Sequence, residues 1–173
     1  YIRYSLYSLA EKKWEHLDLK NFEKVLDFDF ASDGLSLVLS GVKDGQSDIF
    51  VHNLVAHTDE QITDDLADDF SPRFSPGDEQ IVFSSNRRSD SLSEVNPDKE
   101  FSPSHNLFVY NYKDKAERLT PVAFDRYLNR KNPTPLGNNS YAFLGDDNGV
   151  VNRYKAKYDS TIAFVDTLTH YRF

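Results

Sequence analysis

The sequence predicts an all-β protein, and three observations support this. Phenylalanine and tyrosine are abundant, with 13 and 10 copies among the 173 residues, and aromatic residues favour strands. Short apolar runs alternate with turns that contain glycine, proline or aspartate. A unit of strand, tight turn and strand also recurs along the chain. The pattern therefore predicts a repeated arrangement of antiparallel hairpins.

The clearest copy of this unit lies at residues 69–87. Pro72-Arg73-Phe74 is a short extended run, and Ile81-Val82-Phe83 is typical of a buried strand. Between them, Ser75-Pro76-Gly77-Asp78 predicts a turn, because proline fixes φ at about −65° and glycine accepts a positive φ.

Two further copies give the repeat its period. Residues 28–40 contain an aromatic residue, a serine, the turn pair Asp33-Gly34 and an apolar strand, and residues 133–143 are a weaker copy. Matching phenylalanines in the first two copies are 44 residues apart, and those of the second and third are 60 apart because of an insertion at 86–104. Self-similarity at roughly 40–45 residues, with several strands per unit, is typical of a β-propeller blade.

The repeat resembles that of TolB-type propellers, in which a proline and an aromatic residue precede Ser-Pro-Asp-Gly, an apolar strand and an arginine. Gly77 and Asp78 stand in the reverse of the usual order, whereas Asp33-Gly34 has that order but lacks the proline. The resemblance extends over about 20–165 and implies a TolB-like β-propeller of antiparallel four-stranded blades. It also implies the role of such propellers, which bind protein or peptide partners in the periplasm or cell envelope.

The repeat divides the chain into blades. Residues 1–20 are predicted as the two outer strands of a preceding blade, and three blades follow at 22–63, 68–120 and 125–166, the last with its fourth strand near 161–165. An imperfect helical stripe through residues 9–26 is an alternative for the first segment.

About three blades and part of another make an incomplete ring, because a closed propeller usually has about four to eight blades. The chain also contains no methionine, as expected of a piece of a larger protein. An open fan leaves sheet faces and edges uncovered, and such surfaces tend to pair. We therefore expect either further blades in a longer chain or self-association of this one.

Composition and motifs narrow the function. A net charge of −8 argues against nucleic-acid binding, and the longest apolar runs are too short for membrane insertion. The sequence contains no cysteine, no nucleophile elbow, no phosphate-binding glycine loop and no zinc-protease motif, so it predicts no catalytic residue and no cofactor. The cluster Asp64, Asp65, Asp68 and Asp69 lacks the alternating spacing of a calcium loop, so no metal site is predicted.

Most of the remaining candidate residues receive structural interpretations. Asp69 is expected to accept backbone N–H bonds, and Arg87 to form an ion pair or a carbonyl contact between blades. Alternatively, Arg87, Arg88 and Phe101 of the polar segment 86–104, which is predicted as an exposed loop, could hold an acidic partner. Residues with a structural role in the repeat are Asp33, Gly34, Asp69, Pro72, Phe74, Ser75, Pro76 and Gly77, and the aromatic residues expected in the core are Phe28, Phe30, Phe74, Phe83, Phe108 and Phe143.

Two functions remain open from the sequence, and a third, a sugar- or metal-binding propeller, is the least favoured because no ligand residues cluster. The first is a non-catalytic protein-binding propeller of the cell envelope, as the TolB resemblance implies. The second is the substrate-gating propeller of a prolyl-oligopeptidase-like serine hydrolase, whose catalytic domain would lie outside this chain. A nucleophile elbow in a longer parent sequence would favour the hydrolase.

Overall fold

The computed structural model describes residues 2–92 and 102–159, together with the backbone of 161–165 and 169–172. Fifteen strands and no helix occupy these residues, so none of them forms a helix that could cross a membrane. In chain order the strands are β1 (Ile2–Ser8), β2 (Lys13–Leu19), β3 (Lys24–Phe30), β4 (Ser36–Lys43), β5 (Gln46–Asn53), β6 (Thr58–Gln61), β7 (Asp69–Phe74), β8 (Gln80–Ser85), β9 (Asn106–Asn111), β10 (Thr120–Ala123), β11 (Arg130–Gly137), β12 (Ser140–Gly145), β13 (Asn152–Lys157), β14 (Thr161–Val165) and β15 (Thr169–Arg172).

The strands form successive antiparallel sheets in which neighbours along the chain are also neighbours in space. Sheet 1 is the hairpin β1–β2, sheet 2 is β3–β4–β5–β6, sheet 3 is β7–β8–β9–β10, and sheet 4 is β11–β12–β13. The repeat predicts the fourth strands of the first two blades near 61–63 and 118–120, and β6 and β10 lie within a few residues of these positions. Segment 161–165 was predicted as the fourth strand of sheet 4, but it pairs with β15 in a separate two-stranded sheet.

The tight turns inside sheets 2 and 3 have the geometry that their residues require. The N–H of Gly34 donates to the carbonyl of Ala31 at 3.0 Å, and the N–H of Asp78 donates to that of Ser75 at 2.9 Å. Gly77 has a φ of +88°, which a residue with a Cβ rarely adopts. These turns fix the register of the first two strands in each sheet.

The main core lies between sheets 2 and 3. Their facing strands bury apolar side chains at alternate positions, as expected for two packed sheets. The buried residues are Ala31, Val38, Ile49, Val51 and Ile62 from sheet 2, and Phe74, Ile81, Phe83, Phe108, Tyr110 and Leu119 from sheet 3. Burying each large side chain contributes roughly 1.5–3 kcal/mol, so this interface holds the two sheets as one unit.

Sheet 1 packs on the opposite face of sheet 2, and its strands rule out the alternative helix. Leu19 and Phe22 pack against Leu39 and Phe50, and the rings of Phe22 and Phe50 meet edge to face at 4.8 Å. Gly41 permits this contact, because a Cβ at this position would lie 2.6 Å from Cδ1 of Phe22. Hairpin β1–β2 is therefore an integral layer of the fold.

The prediction that Phe28 and Phe30 lie in the core is wrong. Their side chains are 53% and 45% exposed, next to Leu26 at 46% on the same face of β3. Asp27 and Asp29 take the face towards sheet 3, where Asp29 accepts a hydrogen bond from the N–H of Phe74 at 3.1 Å. Alternation correctly identified side chains that share a face of sheet 2. Sheet 1 covers this face over β4 and β5 but leaves Phe28 and Phe30 of β3 exposed.

Candidate binding site at the inner strands

The first strands of sheets 2, 3 and 4, called the inner strands here, lie side by side. β3 contacts β7, and β7 contacts β11. Each of the three carries a β-bulge at a corresponding place, next to Leu26 on β3, Ser71 on β7 and Asn132 on β11. A bulge bends its strand and redirects the side chains beside it, and bulges are frequent next to functional sites.

Two of these bulges have the same local structure. Ser71 and Asn132 adopt φ values of +53° and +50°, and each is followed by a buried proline, Pro72 or Pro133. Proline has no N–H for the strand ladder, so a bulge is a position where a strand accepts it. Non-glycine residues with positive φ are strained by about 1–3 kcal/mol, and such residues cluster at binding sites.

The three bulges surround an open cavity of about 340 Å³, called the inner-edge cavity here. Leu26 and Phe70 give it an apolar wall, and the other residues supply polar or charged groups. Its lining consists of Leu26, Asp27, Phe70, Ser71, Ser84, Lys131 and Asn132. The cavity therefore combines an apolar surface with hydrogen-bonding groups from three separate sheets, as small binding sites commonly do.

The charged residues of the inner-edge cavity differ in how far they are already engaged. Asp27 Oδ2 accepts a bond from Arg73 Nη2 at 2.9 Å, and Asp27 Oδ1 accepts one from the N–H of Phe28 at 2.8 Å. Lys131 is exposed. The pKa of the nearby His105 is lowered, first by the burial of its ring and then by the positive charge of Lys131. The lowered pKa favours the neutral imidazole of His105, and Lys131 is the cation that the cavity lining offers to a ligand.

Several polar atoms close to the inner-edge cavity have no hydrogen-bond partner among the described residues. Ser84 Oγ is one of them, on a side chain that is only 1% exposed. Both ring nitrogens of His105 are buried and unpartnered as well, and this ring lies 5.3 Å from that of Phe70. Buried polar groups are normally satisfied, so Ser84 Oγ and the ring nitrogens of His105 retain unused hydrogen-bonding capacity next to the cavity.

A buried ion pair stands behind β7 between sheets 2 and 3. Arg87 Nη2 lies 2.7 Å from Asp69 Oδ2, and Arg87 Nη1 lies 2.9 Å from Asp65 Oδ2. The Arg87 guanidinium also lies over the rings of Phe83 and Phe108, at 5.6 and 6.0 Å from their centres. The sequence predicted backbone N–H donors for Asp69, but its main counterpart is this guanidinium.

The acidic residues around this ion pair have raised pKa values. Burial, followed by repulsion from Asp69, raises the pKa of Asp48 to about 7, although a hydrogen bond from Thr63 opposes the shift. Burial also raises the pKa of Asp69 to about 6, against the charge of Arg87. Desolvation favours the neutral carboxyl, so this cluster changes charge in the neutral pH range.

The described part of segment 86–104 is anchored, although the sequence predicted an exposed loop throughout. Arg87 is only 4% exposed, so it cannot reach a partner at the surface, whereas Arg88 is exposed. On the far side of the insertion, Ser104 Oγ donates to the carbonyl of Arg126 at 2.9 Å. Phe101 lies outside the described residues.

The predicted repeat residues lie at turns and between sheets, away from the inner-edge cavity except for the bulge beside Pro72. Asp33 Oδ1 accepts a bond from the N–H of Leu35 at 2.8 Å, which closes the first turn. Asp78 Oδ2 accepts from the N–H of Ser32 at 2.8 Å and links the turns of sheets 2 and 3. Phe74 and Pro72 are buried, and Pro76 is exposed in the turn. Ser75 Oγ accepts a hydrogen bond from the N–H of Gln80. Gly34 and Gly77 adopt the positive φ that their turns require.

Sequence reasoning missed Ser84, Lys131 and Asn132, which line the inner-edge cavity. The available signal was a polar residue followed by proline at the start of two inner strands, Ser71-Pro72 and Asn132-Pro133. Proline inside a predicted strand indicates an edge or a bulge, so the pattern pointed to a shared irregularity.

A second cavity of about 640 Å³ lies between sheet 1 and sheet 2, and both of its acidic side chains are already paired. Arg3 Nε lies 2.8 Å from Asp18 Oδ1, and His52 Nδ1 lies 2.7 Å from Asp59 Oδ1. Within the described ranges, no group of three or more histidine, cysteine or acidic side chains is arranged to hold a metal ion. The inner-edge cavity is the better candidate site, because bulged strands of three sheets meet at it.

Comparison with known proteins identifies the fold. No protein-family model matches the chain, and no curated protein matches its sequence. Among solved structures, TolB of Acinetobacter baumannii is similar over 86% of this chain, with 17% identity and a TM-score of 0.54. The fold is that of a TolB-like β-propeller.

Two further solved structures show the same propeller fold. A putative TolB of Agrobacterium tumefaciens is similar over 80% of this chain, with 17% identity and a TM-score of 0.55. Hydrazine synthase of Kuenenia stuttgartiensis is similar over 87%, with 15% identity and a TM-score of 0.60. The chain spans 36% and 43% of the length of the two TolB chains, and 26% of the hydrazine synthase chain.

Proposed function

We propose that this chain is a non-catalytic, protein-binding propeller module of the cell envelope, and that partner peptides bind in the inner-edge cavity. The observation that carries the proposal is the convergence of three bulged inner strands on one cavity. Folds alone do not define ligands, so this cavity supports the binding role, and the TolB resemblance supports the envelope location.

The chemistry of the inner-edge cavity suits an extended peptide. Leu26 and Phe70 offer apolar contact to a side chain, and Ser71, Ser84 and Asn132 offer hydrogen-bonding groups to a peptide backbone or polar side chain. A peptide that bridges all three inner strands would contact sheets that are far apart in sequence. Such contacts give selectivity through a few buried anchors surrounded by polar contacts.

A matched pair of leucine variants tests the proposal. Leu26 lines the inner-edge cavity and is 46% exposed, and Leu136 lies on inner strand β11 outside it and is 51% exposed. Peptides selected from a displayed random library against the parent chain should bind Leu26→Arg at least about tenfold more weakly, or ~1.4 kcal/mol. The same peptides should bind Leu136→Arg with unchanged affinity.

The readout is the dissociation constant of each selected peptide, measured by isothermal titration calorimetry with the three proteins at one salt concentration. Circular dichroism confirms that both variants remain folded, which is expected because both leucines are half exposed. Equal binding to the parent and to Leu26→Arg would show that partners bind elsewhere and would overturn the proposed site.

A further inference from the structure

We infer that the inner-edge cavity recognises a carboxylate next to an apolar side chain on the bound peptide. This inference rests on the proposed function, because it specifies which chemical group of a peptide partner occupies the cavity. Its basis is the juxtaposition of an available lysine, an unpartnered buried hydroxyl and an apolar wall. Each of these three features makes a separate step in the argument.

The first step concerns the net charge that a ligand meets. Asp27 lines the cavity, but both of its oxygens are occupied, one by Arg73 at 2.9 Å and the other by a backbone N–H at 2.8 Å. Lys131 has no carboxylate within ion-pairing distance in the described part of the chain. The free charge at the cavity is therefore positive, although the chain as a whole carries −8.

The second step concerns hydrogen bonding. Ser84 lines the cavity with a side chain that is 1% exposed, and its buried Oγ has no partner among the described residues. A hydroxyl can donate one proton, and a carboxylate accepts at either oxygen. One oxygen can therefore accept from Ser84 while the ammonium of Lys131 balances the charge. Hydrogen bonds to a charged group are stronger than those between neutral groups.

The third step concerns the size and polarity of the ligand. One lysine matches a single negative charge, whereas phosphate recognition favours several cationic donors, usually arginine. Leu26 and Phe70 form the apolar wall of the same cavity of about 340 Å³, which has room for one side chain beside the carboxylate. Two kinds of peptide supply this combination. One has an apolar C-terminal residue with a free carboxylate, and the other has an acidic residue next to an apolar residue.

Three blocked dipeptides of similar size provide the test. They are N-acetyl-alanyl-phenylalanine with a free carboxylate, the same dipeptide as its C-terminal amide, and N-acetyl-aspartyl-phenylalaninamide. The first or the third should bind at least about tenfold more tightly than the neutral amide, as measured by NMR titration of amide shifts. Tighter binding of the first identifies a C-terminus as the source, and tighter binding of the third identifies an acidic side chain.

Variants of the protein then assign the preference to its residues. Lys131→Gln should remove the preference for a carboxylate over the amide, and Ser84→Ala should reduce it. Lys155→Gln is the matched control, because Lys155 is an exposed lysine on β13 outside the cavity. The parent preference should persist in this control.

Different failures overturn different claims. If the amide binds as tightly as both acids and Leu26→Arg weakens all three, the cavity binds peptides but the carboxylate inference is wrong. If Lys131→Gln keeps the full preference, another residue reads the carboxylate and the inference is also wrong. If none of the three dipeptides shifts the resonances of residues lining the cavity, the inference is overturned, and the displayed-peptide experiment decides the proposed function independently.

Discussion

Replacing Arg87 by methionine would leave the carboxylate of Asp69 buried without its counter-charge. In the native fold the two groups are 2.7 Å apart, and the exposed fractions of their side chains are 4% and 0%. Methionine keeps most of the apolar stem of arginine, so packing against Phe83 and Phe108 is largely retained. The variant therefore tests the charge more than the volume of the side chain.

The expected loss of stability follows from the burial of this pair. Removing one partner of a buried ion pair costs about 3–5 kcal/mol, because the remaining charge is desolvated without compensation. A domain of this kind is stable by roughly 5–15 kcal/mol, so the loss is a large fraction of the total. With a urea dependence of about 2 kcal/mol per molar, the unfolding midpoint should fall by about 1.5–2.5 M.

The pH dependence separates charge from packing. The pKa of Asp69 is already raised to about 6, and removing the guanidinium raises it further. A group whose pKa is raised in the folded state contributes stability at low pH that is lost as pH rises through that pKa. The destabilisation of Arg87→Met should therefore be smaller at pH 5 than at pH 8.

Urea unfolding followed by tryptophan fluorescence and circular dichroism at both pH values is the assay. Adding Asp69→Asn to Arg87→Met removes the buried charge, and this double variant should be more stable at pH 8 than Arg87→Met alone. Arg153→Met is the control, because Arg153 is exposed on β13 and should change stability by less than about 0.5 kcal/mol. A loss below about 1 kcal/mol for Arg87→Met at pH 8 would refute the reasoning.

Two further predictions concern the second buried carboxyl and the uncovered face of β3. The pKa of Asp48 is raised to about 7, so the stabilising contribution of this carboxyl is lost as the pH rises from about 4 to 7. Asp48→Asn should therefore raise the melting temperature at pH 8, and the melting temperature of the variant should rise less than that of the parent between pH 8 and pH 5.5. An unchanged profile would contradict the raised pKa. Phe28 and Phe30 are 53% and 45% exposed, so sedimentation velocity should show concentration-dependent self-association that the double change Phe28→Ser, Phe30→Ser reduces; a strictly monomeric parent chain would exclude self-association through this face.

Local patterns predicted the strands and turns well because the signals are short-range. The turn pair Asp33-Gly34 and the turn at Ser75-Pro76-Gly77-Asp78 depend on φ preferences of the residues themselves, and both occur where predicted. Phe28 and Phe30 failed because alternation reports a shared face, and the cover on that face depends on contacts distant in sequence. Segment 161–165 failed for a similar reason, since a strand pattern does not specify its partner.

Burial of Arg87 was also beyond the reach of local pattern. Its position after an apolar strand is compatible with an exposed loop. The pairing of β7 with β8, in which Asp69 lies opposite Ser85, and the course of the connection between β6 and β7 bring Asp69 and Asp65 to its guanidinium. Ser84 illustrates the same limit, because a serine near the end of a strand does not indicate whether its hydroxyl finds a partner. The inner-edge cavity therefore became visible only in three dimensions.

The two strained bulges favour a binding role for the inner-edge cavity over a purely architectural one. Among the described non-glycine residues with positive φ, only Ser71 and Asn132 lie inside strands, and the others lie in turns. Glycine would adopt the same conformation with less strain, and the chain uses it at positive φ elsewhere, as in Gly34 and Gly77. A bend in the strand alone would require no side chain there. In the proposed binding role, the hydroxyl of Ser71 and the amide of Asn132 are the polar groups that these two bulges add to the lining of the cavity.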